Sequence, residues 1–339
     1  MNHDIDIKEV RKNCFRQSKV PGEFMLQMRV PGGVVEAKHL TMIQYIAETW
    51  GNGKFHIGMR QTFSLPGIQY ENIEKVNAYI KEYIEQVEVE TCGVEMETSD
   101  AGYPTIGARN VMACIGNAHC IKANIDTTDL AQKLESIIFP SHYHIKISVS
   151  GCPNDCAKAH FTDFGVIGVT KTEYDYNRCI GCKKCIEACE KHATRVLSME
   201  QGKIMKDVCC CVGCGECVLA CPTGAWSRVP TKFYRVMIGG RTGKQSPRMG
   251  KMFLNWVTED VVLNVVRNWE KFSADVLEHK PVYLHGGHLI DKAGYNKFKE
   301  MMLDGVQLNP EAMVAQRIFW TETEYRSNIN VVSVSKGTL

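Results

Sequence analysis

The 339-residue chain has no apolar run of membrane-spanning length, so no membrane partner is expected. It has almost no net charge: 40 Lys and Arg stand against 38 Asp and Glu, leaving +2. No nucleic-acid partner is expected from that balance, and any anion binding must come from local Arg and Lys. Glycines with nucleotide-binding spacing are also missing; G-G-R at 239–241 does not continue into such a fingerprint, so no flavin or nicotinamide site is expected. The opening M-N-H-D-I-D-I-K-E-V-R-K is polar and lacks a secretory pattern, which makes the cytoplasm the expected location. Cysteine, by contrast, is abundant. Sixteen cysteines in a chain of this size and character point to reduced thiols and metal, not to a disulfide framework. With 44% hydrophobic residues, the chain can bury a full core and form two or three domains.

Eight cysteines form two runs, C-I-G-C-K-K-C-I-E-A-C at Cys179, Cys182, Cys185 and Cys189, and C-V-G-C-G-E-C-V-L-A-C-P at Cys211, Cys214, Cys217 and Cys221. C-x2-C-x2-C-x3-C is the spacing that holds 4Fe–4S clusters in bacterial ferredoxins, where the fourth cysteine ligates the other cluster. Cys179, Cys182, Cys185 and Cys221 are therefore expected to bind one cluster, and Cys211, Cys214, Cys217 and Cys189 the second. Zinc is disfavoured, because its ligands come in pairs while these arrive as triplets plus one. Glu190 follows the first run where proline is usual, a change in turn chemistry and not in ligation.

The double run reads as an insertion. Phe164–Thr170 before it and Lys232–Gly239 after it are apolar and β-branched, the pattern of buried strands. A two-cluster module is placed at 171–230, in a host split into 1–95 and 96–170 plus 231–339. In the host, residues 24–30 alternate, which puts Phe24, Leu26, Met28 and Val30 on one face and Gln27 and Arg29 on the other. Leu40, Ile43, Ile46 and Trp50 have helical spacing, as do Ile73, Val76, Ile80, Tyr83 and Val87. Thr258 is placed as an N-cap before Glu259 and Asp260, with an apolar helix face running to Phe272. These stripes are read as core, and the host as α+β.

A third cysteine set lies in the host: A-C-I-G-N-A-H-C at Cys114 and Cys120, and S-G-C-P-N-D-C at Cys152 and Cys156. Pro153 suits the first position of a helix, which would put Cys152 and Cys156 on one side of a turn. Nearby helix-start amides would then stabilise thiolates or an anionic cluster. Spacing alone leaves zinc open for this set.

C-x5-C followed by G-C-P-N-x-C resembles the signature of siroheme sulfite and nitrite reductases. M-R-V-P-G-G at 28–33, M-R-Q-T-F at 59–63, A-R-N-V at 108–111 and G-G-R-T-G-K-Q-S-P-R-M-G at 239–250 resemble that family in its own order. The likeness spans nearly the whole chain except about the last thirty residues. Single-repeat length and an inserted ferredoxin most resemble the siroheme-bearing subunits of three-subunit anaerobic sulfite reductases, with dissimilatory sulfite reductase subunits next. The resemblance implies a single-repeat fold with an N-terminal ferredoxin-like half-domain and an inserted bacterial-type ferredoxin module carrying two 4Fe–4S clusters.

It further implies a six-electron reduction of sulfite to sulfide, with siroheme and three 4Fe–4S clusters as cofactors. Cys114, Cys120, Cys152 and Cys156 would hold the third cluster, and Cys156 would bridge it to the siroheme iron. Arg29, Arg109 and Lys146 match positions around the substrate oxygens, and His144 stands where the assimilatory family has a second lysine. Arg60, Gln61, Arg241, Lys244 and Arg248 match siroheme partners. Nitrite is the nearest alternative substrate; a conduit subunit without turnover is another class, but it would need no anion pocket. Lacking a flavin site, the chain implies donor subunits that carry flavin and further iron–sulfur clusters. Each motif occurs once, whereas the family is generally built from two related halves. Two copies are therefore expected to pair about a twofold axis, with Arg29 or Arg109 reaching the other copy's siroheme, unless a partner subunit supplies the second half. Cys14, Cys92, Cys209 and Cys210 are left over, and free cysteines are most often small buried hydrophobes.

Overall fold

The structure is a computed structural model that describes residues 5–7, 10, 14–96, 109–141, 143–243, 247–280 and 282–320. Alternation in 23–28 produces a strand whose buried face is Phe24, Leu26 and Met28. That strand, β2 (Glu23–Met28), joins β1 (Phe15–Gln17), β3 (His56–Ile57) and β4 (Phe63–Gln69) in an antiparallel sheet of order β1-β2-β4-β3. Helices α1 (Lys38–Thr49) and α2 (Ile73–Ile84) complete its core. All five stripe residues of the second helix segment, Ile73, Val76, Ile80, Tyr83 and Val87, are buried, each contributing about 1.5–3 kcal/mol of hydrophobic stabilisation. In α1 the stripe turns slightly from its expected position: Ile43 and Ile46 are buried, while Leu40 is half exposed and His39 buried instead. His39 sits edge-on to Tyr83 and meets Gln86 at 3.3 Å, which explains its place in the interior.

The larger part of the host is built on a six-stranded sheet. Its strands are β5 (Met112–Ala113), β6 (Ile147–Ser150), β7 (Phe164–Val169), β12 (Phe233–Ile238), β13 (Lys251–Val257) and β14 (Met313–Val314), in the order β14-β13-β12-β7-β6-β5. Strands β5, β6 and β7 are mutually parallel, and the remaining pairs are antiparallel. Helix α3 (Thr127–Ile138) is capped by the Asp126 carboxylate, which accepts from the amides of Thr128 and Asp129. With α6 (Glu259–Val276), α7 (Gly286–Ala293) and α8 (Tyr295–Leu303) it shares the core of this sheet. Thr258 does occupy the N-cap of α6, but its hydroxyl makes no cap bond; its amide donates to Asn309 Oδ1 instead.

Between β7 and β12 the chain leaves the sheet and returns. The two strands form a hairpin in which Val169 faces Phe233, so the intervening residues project from its tip. Strand β8 (Thr172–Tyr174) pairs with β11 (Trp226–Arg228) at once beyond that tip, and β9 (Leu197–Glu200) with β10 (Lys203–Lys206) further out. Helices α4 (Lys184–His192) and α5 (Glu216–Ala220) lie between these ladders. The buried apolar cluster here is small: Cys185, Cys189, Leu197, Ile204 and Trp226.

Candidate functional site

Parallel pairing decides where the host cysteines meet. Cys114 directly follows β5, and Gly151-Cys152 directly follows β6; in parallel strands these ends lie at the same edge of the sheet. The Cys114 amide donates to Val149 O, and Gly151 N donates to Cys114 Sγ at 3.1 Å. Burial raises the Cys152 thiol pKa, and Cys156, Cys114 and Cys120 add to that rise, so the four thiols share one electrostatic site. The G-C-P-N-D-C segment departs from its expected form: no helix starts at Pro153, and residues 151–158 run as successive turns. Asp155 and Lys158 both adopt left-handed φ, of 49° and 57°. The Asp155 carboxylate holds the turn together by accepting from Ser150 Oγ, the Ala159 amide and the His160 amide. Asn154 Nδ2 donates to Cys156 Sγ at 3.3 Å, a donor aimed at the thiol that the family pattern assigns to the bridge.

A cavity of about 760 Å³ opens beside these thiols. Cys114, Cys120, Cys152 and Cys156 line one part, Met59, Met112, Ile115 and Phe161 supply apolar surface, and Arg60, Lys122, Lys146 and Lys158 supply positive charge. The volume suits a large planar ligand. The mixture fits a macrocycle with an apolar face and a carboxylate rim. Arg60 is half-buried, and burial pulls its pKa down to about 10; its Nη2 donates to the carbonyls of Asn110 and Ile147. Gln61 is clamped to β5 at two points, donating to Ala113 O and accepting from Ala113 N.

Next to it lies a second cavity of about 320 Å³, lined by Arg16, Arg29, Arg60, Arg109, Asn110, Gln27 and Thr62 among others. Four arginines in one small volume make a strongly cationic basin. Asn110 ties its three motifs together: its side-chain amide accepts from Val30 N and donates to Val30 O and Arg60 O. Arg29 and Arg109 differ in what opposes their charge. Arg29 is buried, facing Glu88 at 3.6 Å and the Glu135 carboxylate, with Phe139 stacked 3.7 Å from its guanidinium carbon. Arg29, expected on the strand face opposite Phe24, Leu26 and Met28, thus occupies an interior position, because Glu88 and Glu135 receive it. Arg109 rests on a neutral group, donating from Nε and Nη2 to the Tyr283 hydroxyl at 3.2 and 2.8 Å. Lys146 is half-buried, and burial lowers its pKa; Asp163 opposes the shift while Arg60 and Arg109 favour it. It releases a proton more readily than a surface lysine would. His144 is buried under Tyr283, with ring centroids 3.9 Å apart. His144 and Lys146 both precede strand β6, which begins at Ile147.

Other predicted residues lie elsewhere. Arg241 and Arg248 are buried and share the two oxygens of Asp291 at 2.7 Å each, and Arg248 also donates to the carbonyls of Gly239 and Gly287. Neither lines the large cavity; from that segment Thr242 does. Lys244 lies outside the described residues. Asn110, Asp163, Tyr283 and His285 meet the site although no motif reading picks them out. A-R-N-V contains the first, and the paired glycines and histidines of Y-L-H-G-G-H at 283–288 are the available signal for the last two.

In the inserted module the crossed ligand sets are consistent with the thiol electrostatics. Cys221 raises the Cys185 pKa, and Cys189 raises that of Cys214, in each case after burial. Among the described residues, no three cysteine sulfurs lie within 4.8 Å of one another. Thiolates sharing one tetrahedral zinc at about 2.3 Å would stand roughly 3.8 Å apart. The thiol spacing is thus wider than a single tetrahedral zinc would set. Because β7 is parallel to β5 and β6, the module leaves the host at the same edge as Cys114 and Cys152. Its 211–217 loop docks there: Lys122 Nζ bonds Glu216 at 2.8 Å, and Asn124 Nδ2 donates to Gly213 O. Cys182 and Ile180, in the other loop, are exposed. Cys209 and Cys210 are exposed, while Cys14 and Cys92 are buried thiols whose pKa burial drives upward.

Gly33 offers a direct check on how the half-domain meets this site. Its φ is +73°, and a Cβ there would lie 2.3 Å from Gln61 Nε2. Gly33→Ala is expected to destabilise the protein by about 1–3 kcal/mol through strain and a displaced clamp. An unchanged melting temperature would show that the clamp does not tie the two parts together.

Comparison with known proteins follows the same two parts. Residues 16–83 match the family described as nitrite/sulfite reductase ferredoxin-like half domain, and 106–307 match the nitrite and sulphite reductase 4Fe-4S domain. An anaerobic sulfite reductase subunit of Salmonella typhimurium is 54% identical over 325 residues, covering 96% of both chains. The coenzyme F420-dependent sulfite reductase of Methanocaldococcus jannaschii is 29% identical over 285 residues, 83% of this chain and 42% of the relative. A crystal structure of dissimilatory sulfite reductase I shares the fold, with a TM-score of 0.65 at 19% identity, covering 89% of this chain and 74% of that one.

Proposed function

This chain belongs to the nitrite and sulphite reductase family, and from that premise we propose that it is the catalytic subunit of a siroheme sulfite reductase. One observation carries the reading: four converging thiols line a cavity of about 760 Å³ that adjoins an arginine-rich basin. When bound, siroheme and its coupled 4Fe–4S cluster supply an iron for the sulfur of the anion and a store of electrons close to it.

The protein's own groups have separable tasks. Cys114, Cys120, Cys152 and Cys156 would hold the third cluster, and Cys156 would also serve the siroheme. Arg60 and Gln61 would border the macrocycle. Arg109 binds sulfite oxygens with a charge that a neutral phenol leaves undiminished, and Arg29 shapes the same basin from its buried ion pair. Lys146 and His144 give up protons as the oxygens leave. Cys179, Cys182, Cys185 and Cys221 would hold the outer ferredoxin cluster, and Cys211, Cys214, Cys217 and Cys189 the one beside the host. The module is assigned to 171–230, between host segments 96–170 and 231–339 that follow the half-domain at 1–95.

Donor subunits carrying flavin and iron–sulfur clusters would deliver electrons, in the cytoplasm. Among the described residues, no helix is long and apolar enough to cross a membrane. Two copies paired about a twofold axis would restore the family's two-half plan; a stable, active monomer would refute this. Nitrite reduction to ammonia is the second reading, since the same cationic basin suits either anion, and an electron-transfer subunit without turnover is the third.

Two measurements test the proposal. Anaerobically purified protein is expected to carry about twelve cluster irons and one siroheme iron, by the ligand counting above. Zinc in the cysteine sets, or one cluster only, would overturn the cofactor assignment. Steady-state rates with reduced methyl viologen should favour sulfite over nitrite in kcat/KM; the opposite order would transfer the reading to nitrite, and no turnover of either anion would leave the conduit.

A further inference from the structure

The segment V-Y-L-H-G-G-H at 282–288 carries no cysteine and no anion motif, yet it touches two residues of the site, Arg109 and His144. Tyr283 covers His144 and accepts both bonds from Arg109. His285 Nδ1 lies 3.2 Å from His144 Nε2, so one imidazole donates and the other accepts. Under both rings lies the fully buried carboxylate of Asp163, with Oδ2 4.0 Å from His144 Nε2 and Oδ1 3.9 Å from His285 Nδ1. Asp163 is itself fixed, accepting from Lys146 N and from Gly286 N at 2.9 and 2.7 Å. The approach requires glycine: a Cβ on Gly286 would stand 3.0 Å from Asp163 Cβ and 2.7 Å from Trp269. The result is a buried His144 linked by a hydrogen bond to a partly exposed His285, with 25% of the latter's side chain open to solvent.

We propose that His285 relays protons from solvent to His144, and that this pair supplies protons to the anion held by Arg109 and Lys146. The inference rests on the oxyanion-reductase reading of the site. Turning sulfite into hydrosulfide and three waters takes six electrons, which the donor subunits provide, and seven protons, which must cross the protein. A proton taken up at His285 Nε2 releases the Nδ1 proton to His144 Nε2; His144 passes its other ring proton on to recharge Lys146, which lines the cavity and gives a proton to a departing oxygen. Each transfer restores a neutral imidazole.

The surroundings suit a carrier rather than a metal ion. His285 is pushed down to about 4 by burial and by Lys146, His288, Arg241 and Arg109, while burial lifts Asp163 to about 6. Those four groups face His285, together with Asp163, His144 and Tyr283, and Asp291 balances Arg241. A divalent cation would be repelled by the lysine and arginines. A neutral histidine passes protons on without storing them, and a bound dianion offsets the surrounding positive charge and raises its proton affinity.

The test compares wild type, His285→Gln and Tyr283→Phe as holoenzymes with reduced methyl viologen and sulfite. In His285→Gln, kcat is expected to fall by about 10–100-fold, most at alkaline pH, with partial rescue by added imidazole. Siroheme and cluster content, and the sulfite-induced change in siroheme absorption, should be unchanged. Tyr283→Phe should instead raise KM by loosening Arg109, with the pH profile retained. An unchanged kcat in His285→Gln, or a loss equal at every pH and not rescued by imidazole, would overturn the relay. Proton uptake on sulfite binding, followed with an indicator in weak buffer, reads the relay without turnover. Wild type should take up protons that His285→Gln does not, so a wild type unable to reduce sulfite would count against the reductase reading, and uptake would still decide the relay.

Discussion

Cys156→Ser is expected to abolish sulfite reduction while leaving both ferredoxin clusters in place. Cys156 is the exposed thiol of the host set, lines the large cavity and receives a hydrogen bond from Asn154. A serine oxygen is a harder and poorer ligand for iron than a thiolate. Loss of an outer partner at a metal site typically costs 10–100-fold, so loss of the ligand proposed to be shared by cluster and siroheme should exceed about 100-fold. The spectra of the Cys179–Cys221 module should survive, because its ligands and its small core lie beyond the tip of the β7–β12 hairpin. Turnover at the wild-type rate with siroheme bound would remove Cys156 from the bridging role.

Arg109→Gln and Arg29→Gln should separate two arginines that the sequence presents as equivalents. Arg109 is held by a neutral hydroxyl, so its loss should lower kcat/KM for sulfite by about 100-fold, as for removal of one oxyanion donor, with little change in melting temperature. Arg29 neutralises buried Glu88 and Glu135, and its loss would leave those acids without their cation. Breaking a buried pair by removing one partner costs about 3–5 kcal/mol, so Arg29→Gln should unfold at a clearly lower temperature. Measuring both quantities for both variants decides the matter. Equal kinetic losses with equal stability would show that the two side chains do the same work.

Much of this architecture is legible because its signals are local. The alternation of Phe24, Leu26 and Met28 and the helical stripe from Ile73 to Val87 are periodic, and the structure buries each of those residues. The misreadings occur where a distant partner overrides the period. Arg29 falls on the expected polar face, yet it is interior because Glu88 and Glu135 come to it from other elements. Pro153 promises a helix, but Asp155 and Lys158 in left-handed conformations turn the chain instead, and the Asp155 carboxylate satisfies the amides a helix would have used. Arg241 and Arg248 carry the composition of anion ligands, while Asp291, fifty and forty-three residues away, engages both.

By itself, the sequence pointed to the kind of chemistry this protein has: cysteine spacing is a covalent property of the chain, and in the two ferredoxin-like runs it proposes ligand sets before any folding occurs. It also determined the sheet and helix periods, since these follow from which neighbours along the chain are apolar. The tertiary structure alone decided which groups face one another. The parallel β5, β6 and β7 bring Cys114, Cys152 and the inserted module to a single edge, and Tyr283 and His285 reach Arg109 and His144 from about 140 to 170 residues further along. Long-range juxtaposition depends on strand direction and on the burial of opposite charges, and neither leaves a periodic trace in the residues themselves.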